Sequence, residues 1–135
     1  MHSNRAIGIT QFLLRIVAGL LFAQHGMQKL FGWYGGFGAP GATAPLMSQF
    51  GLAGVLELFG GLAILLGLGT RPVAFLLSGE MAVAYFQAHF PHGFWPIQNH
   101  GEPAVLFSFI FLFLAANGGG AWSIDSRLGR PKPRV

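Results

Sequence analysis

Four long apolar stretches, at residues 9–30, 50–68, 72–89 and 103–122, constrain this chain more than any other feature. Each comes close to the ~20 residues that a helix rising about 1.5 Å per residue needs to cross ~30 Å of hydrocarbon. In a chain of 135 residues they leave room for short connections and little else. They predict a single all-α domain over 1–135, a four-helix transmembrane bundle. Composition agrees: 9% of residues are charged and 53% apolar, where an ordinary soluble domain carries about 25% charged residues. A water-facing surface cannot be built from so few charges, so lipid must supply the missing solvation.

The connections carry the orientation. A Gly/Pro-rich loop over 31–49 joins the first two stretches, a tight turn at 67–72 the next two, and an aromatic loop over 90–101 the last two. Arg5 precedes the first stretch, Arg71 lies in the middle turn, and Arg127, Arg130, Lys132 and Arg134 crowd the tail, while the other two loops hold no Lys or Arg. Because basic residues are retained on the cytoplasmic side, both termini and the middle turn are expected in the cytoplasm. Trp33, Tyr34, Trp95 and Trp122 fall where interfacial aromatics sit. Arg15 interrupts the first stretch, and His25, Gln28 and Lys29 follow where a secretory cleavage site would need small residues, so this stretch reads as a retained helix. The net charge of +4 is concentrated in the tail; with no basic groove or recognition element it points to anionic headgroups, with membrane lipids as partners and no nucleic acid. The chain has no cysteine, which removes thiol redox chemistry and leaves any electrons to a bound cofactor, metal or quinone.

Ionisable residues inside the spans are costly and normally face a bundle interior with a partner. Helical spacing puts Arg15, His25 and Lys29 on one face of the first stretch, Gly54, Glu57, Gly60 and Gly61 on one face of the second, and Glu80, Ala84 and Gln87 on one face of the third. Depth along antiparallel helices then predicts two pairings: a buried ion pair between Arg15 and Glu80, and Lys29 or His25 with Glu57. Either could simply lock helices together. His25, Lys29, Glu57, His89, His92, Trp95, His100 and Glu102 are expected to gather at the outer mouth. Histidine titrates near neutrality and suits proton exchange, metal ligation or interfacial packing; the spacing of His89 and His92 is too loose to assign a metal.

The segments LLRIVAGLLFAQHGMQKLFG (13–32), GLAGVLELFGGLAILLGLGTRP (51–72), FPHGFW (90–95) with GEPAVL (101–106), and AWSID (121–125) resemble the DoxX family of small bacterial membrane proteins over nearly the whole chain. The positions matching that family's pattern are Arg15, His25, Gly26, Lys29, Leu30, Glu57, Gly61, Arg71, Pro72, His92, Gly93 and Glu102. The resemblance implies a four-helix protein of the bacterial inner membrane. It also implies association with quinone-linked oxidoreductases and with oxidative or thiol stress.

Two functional expectations follow. In the first, the chain is a quinone-linked membrane subunit with quinone as its candidate cofactor and an oxidoreductase subunit or a second copy as partner. His25 would exchange protons, Lys29 would donate to the quinone oxygen, and Glu57 would orient Lys29. In the second, it is a non-enzymatic scaffold or permease-like subunit, or an outer-face metal-binding protein.

Overall fold

The computed structural model describes residues 2–129, and among these there is helix and no strand. Arg130, Lys132 and Arg134 of the basic tail lie outside the described residues. The elements are α1 (His2–Phe31), α2 (Gln49–Leu66), α3 (Thr70–Ala84), a short α4 (Pro96–Asn99), α5 (Glu102–Asn117) and α6 (Ile124–Leu128). α3 runs on through a widened π turn at Tyr85–His89 and a 3-10 turn at Phe90–His92. Residues 4–31, with mean hydropathy 1.9, and 49–66, with 1.8, are each long and apolar enough to cross a membrane.

α1 lies along α2 and α3 lies along α5, with α2 meeting α3 between the two pairs. The first pair is close because its seam has almost no side chains. Cβ atoms added at Gly26 and Gly19 would stand 2.4 Å from the Leu58 nitrogen and 2.6 Å from the Gly61 carbonyl oxygen, and one at Gly61 would meet the Ala23 nitrogen at 2.6 Å. Small residues at seven-residue intervals thus let the two backbones touch, as helices packing in lipid commonly do. The second pair is clasped by reciprocal hydroxyls: Ser78 Oγ donates to the Ser108 carbonyl (2.8 Å) and Ser108 Oγ to that of Ser78 (3.0 Å). Phe22 of α1, Ile64 of α2, Leu77 and Met81 of α3, and Phe111 and Leu114 of α5 fill the core. Phe22 meets the rings of Phe111 and Phe107 at 4.8 and 5.4 Å.

The outward faces are apolar too. Leu13, Val17 and Leu21 on α1, Phe59 and Leu66 on α2, Phe75, Leu76 and Phe86 along α3 and its extension, and Leu106, Phe109 and Phe113 on α5 are all exposed. A helix on the surface of a soluble protein turns polar residues outward; these helices turn leucine and phenylalanine.

Helix ends account for two departures from the sequence reading. α1 begins at His2, well before residue 9. α5 stops at Asn117 instead of running to 122, because Gly118 (φ 79°) and Gly120 (φ 77°) adopt conformations closed to ordinary side chains. α2 ends at Gly67 (φ 70°), with the Gly67 and Leu68 N–H groups donating back to Ile64 and Ala63 at 3.1 and 2.9 Å. The start of α3 is capped from a distance: Asp125 of α6 accepts the N–H groups of Gly69 (2.7 Å) and Thr70 (2.8 Å). Partial burial opposes the charged form of Asp125, but these N–H groups, with Arg15 nearby, outweigh it and hold the carboxyl below its ordinary range.

Candidate functional site

The two ends of the molecule use their polar residues differently. At the end formed by the 67–70 turn and residues 118–125, arginines close helix termini. Arg15, 1% exposed, donates from Nη1 to the carbonyls of Ile64 (3.0 Å) and Leu65 (2.6 Å), and from Nη2 to that of Trp122 (2.7 Å). These are the unpaired carbonyls of the last turn of α2, where a cation also favours the negative end of the helix dipole. Arg71 does the same for α5, donating to Ala115 (3.3 Å) and Ala116.

The expected Arg15–Glu80 ion pair is therefore not formed. Glu80 lies ten residues beyond Thr70, about 15 Å along α3 at a helical rise of ~1.5 Å, whereas the Arg15 guanidinium sits at the level of the 64–70 turn. The α2 carbonyls offer Arg15 nearer acceptors at its own depth. Counting charges finds only charged partners, and the open carbonyls of a helix end accept as well.

At the other end, α1, α2, α3 and α5 enclose a cavity of about 730 Å³. Its walls are mostly apolar, with Phe22, Phe50, Leu56, Met81 and Phe107 among them, and its polar groups are few: His25, Lys29, Gln49, Glu57, Glu80, Gln87, His89 and His100. Lys29 of α1 and Glu57 of α2 meet as a bidentate pair, Nζ lying 2.6 Å from both carboxylate oxygens. Glu57 is 3% exposed as a residue. Lys29 reaches it because the glycine seam brings α1 and α2 together just below, at Gly26 and Gly54. The loop fixes this turn further, with the Ala44 N–H donating to the Lys29 carbonyl (2.7 Å). Both carboxyl oxygens of Glu80 are buried and lack a hydrogen-bond partner among the described residues. The Gln49 and Gln87 side chains hydrogen-bond to one another across the gap between α2 and α3.

Of the residues expected at one mouth, His25, Lys29, Glu57, His89 and His100 do line the cavity. His92, Trp95 and Glu102 do not; all three are exposed outside it. The aromatic loop turns outward after Pro91, and Gly93 (φ 141°) redirects it, so these residues share the end of the molecule without sharing its interior. Among the described residues no three His, Asp or Glu side chains converge as a metal site would require. Sequence reasoning missed Asn99, which is 4% exposed. Its amide donates to the Gly93 carbonyl (2.8 Å) and Tyr85 hydroxyl (3.2 Å) and accepts the Gly101 N–H (2.8 Å). Asn99 also presents its carbonyl to His89 Nδ1 at 3.1 Å. A lone asparagine in a loop gives no periodic signal, and only closure of the π turn onto the loop shows its role.

Comparison with known proteins decides the family. The DoxX family model matches residues 10–90. The chain belongs to the DoxX family. A Haemophilus influenzae protein named only as uncharacterized is 41% identical over 121 residues, 84% of this chain and 87% of the relative. The Escherichia coli "Inner membrane protein YqjF" is 32% identical over 130 residues, 86% of this chain and 89% of the relative. The Bacillus subtilis "Putative oxidoreductase CatD" is 31% identical over 128 residues, covering 90% and 89%. No solved structure matches the chain. This DoxX protein is a membrane protein, as two of its relatives, the Escherichia coli protein and one from Mycobacterium tuberculosis, are named to be. Of the cavity's ionisable residues, His25, Lys29, Glu57, Glu80 and His89 fall within the matched segment and His100 lies beyond it.

Proposed function

We propose that this DoxX protein is a four-helix, multi-pass subunit of the bacterial inner membrane whose cavity binds a quinone-class molecule. An oxidoreductase partner subunit would carry the electrons. The observation behind this reading is the cavity itself: an apolar, phenylalanine-walled space among helices, with a small set of charged and hydrogen-bonding groups. Membrane ligand sites of this kind hold an apolar body on the walls and fix a polar head with a few groups. Lys29 offers a positive donor to a head oxygen, Glu57 orients it, and His25 stands beside them as a group able to exchange a proton. The apolar outer faces of all four long helices support four crossings. The orientation is supported by charge: among the described residues Arg5, Arg15, Arg71 and Arg127 belong to one end, and the loops over 32–48 and 93–101 at the other end hold no Lys or Arg.

Two measurements test this reading. The chain lacks cysteine, so single cysteines report topology cleanly. Thr43→Cys and Gln98→Cys should react with an impermeant thiol reagent in cells whose outer membrane has been opened, and Leu128→Cys should stay protected until the inner membrane is broken. The reverse pattern would overturn the orientation. For the ligand, the protein in lipid nanodiscs should bind decylubiquinone, and Ala53→Phe, which fills the cavity without removing a charge, should abolish binding at unchanged thermal stability. Unaltered affinity in Ala53→Phe would place any quinone elsewhere and leave the scaffold reading standing.

A further inference from the structure

The cavity's hydrogen-bonding inventory is unbalanced in a way that selects among ligands. Lys29 has three N–H donors and directs two at Glu57, leaving one for a ligand. The Glu57 oxygens are both taken by Lys29. Gln49 donates one N–H to Gln87, and both residues, like His25 and His100, are exposed. His89 engages the Asn99 carbonyl through Nδ1. Glu80 differs from these, because its two carboxyl oxygens are buried at the cavity wall without a partner among the described residues. A buried carboxyl with nothing to accept from is expensive, and native proteins rarely keep one without a use. A carboxyl in either protonation state offers at least one acceptor oxygen, and the protonated form an O–H donor as well, so a full partner must be able to donate.

We propose that Glu80 is a specificity-determining residue of this cavity, accepting a hydrogen bond from a hydroxyl on a ring-bearing ligand, so that the site prefers the hydroquinone form over the quinone. The inference rests on the quinone-class reading of the cavity and narrows it. One ligand hydroxyl can donate to Glu80 and accept the remaining Lys29 N–H. A carbonyl in the same place can only accept, so it gives no acceptor oxygen of Glu80 a partner. Phe22, Phe50 and Phe107 provide flat walls suited to the ring.

The test compares decylubiquinol and decylubiquinone, which share a tail, on the full-length protein in nanodiscs under anaerobic conditions. The wild type should bind the quinol more tightly, by about tenfold or more, since a site built around a hydroxyl rejects a ligand without one. Glu80→Leu should erase this preference by weakening quinol binding while leaving quinone binding in place. Glu80→Gln, which keeps an acceptor and adds N–H donors, should move the preference towards the quinone. Melting temperature supplies the control: Glu80→Leu should be at least as stable as the wild type, because it removes a polar group with no partner in the fold. Equal affinity of the wild type for the two probes, or a preference that survives Glu80→Leu, would overturn this inference alone. Failure of both probes to bind the wild type would overturn the quinone-class reading and this inference with it. A sharp loss of stability in Glu80→Leu would show that Glu80 is already partnered in the fold, which also overturns it.

Discussion

Gly26→Leu should separate α1 from α2 and cost roughly 3 kcal/mol or more, the upper end of what overpacking does. Most overpacked sites relax by moving a flexible side chain. Here the obstacles are backbone: a Cβ at residue 26 would stand 2.4 Å from the Leu58 nitrogen and 2.6 Å from the Gly54 carbonyl oxygen. Only a shift of a whole helix can relieve that contact, and the same shift would pull Lys29, one turn along α1, away from Glu57. The variant should therefore lose both thermal stability in detergent and any affinity for a cavity ligand. Gly79→Leu is the matched control, since a Cβ there meets nothing within 4 Å and points into the outer apolar surface; it should be tolerated. Equal behaviour of the two variants would mean that α1 and α2 are not held at backbone contact.

How far the sequence carries towards this arrangement depends on the kind of interaction. Length and hydropathy announce the helices, because a membrane span needs a set number of apolar residues and each stretch has close to that number. Helical spacing groups His25 with Lys29, four residues on, because periodicity decides which side chains share a face, and depth along antiparallel helices points to Glu57. Three things lie outside that logic. Arg15 looks like half of an ion pair, yet its partners are the α2 carbonyls, and a backbone acceptor leaves no trace in residue identity. Asp125 caps a helix that begins more than fifty residues earlier, a relation no local window contains. His92, Trp95 and Glu102 are expected at the mouth from their place in the outer loop, and such a place puts residues at one end of a molecule without saying which of them face inward. The site is legible where it rests on helices and becomes illegible in the loop, where Gly93 and Asn99 set the course of the chain.

Lys29→Met should be strongly destabilising, by about 3–5 kcal/mol, the range for removing one partner of a buried ion pair. Glu57 is almost fully buried and both its oxygens are committed to Lys29. Without the ammonium, its charge would remain in an apolar environment shared with the already unpartnered Glu80 carboxyl. The cost is that of the stranded carboxylate more than of the lost attraction, and this distinction is measurable. Lys29→Met combined with Glu57→Met should recover most of the lost stability, because two apolar side chains of similar volume leave nothing charged behind. The recovered protein then separates structure from recognition. If the pair serves the cavity's ligand, the double variant should be folded and stable yet fail to bind either decylubiquinone or decylubiquinol. If the pair only joins α1 to α2, the double variant should bind both as the wild type does. A double variant no more stable than Lys29→Met alone would show that the lysine's effect does not run through Glu57, and the ion pair would lose its place at the centre of the site.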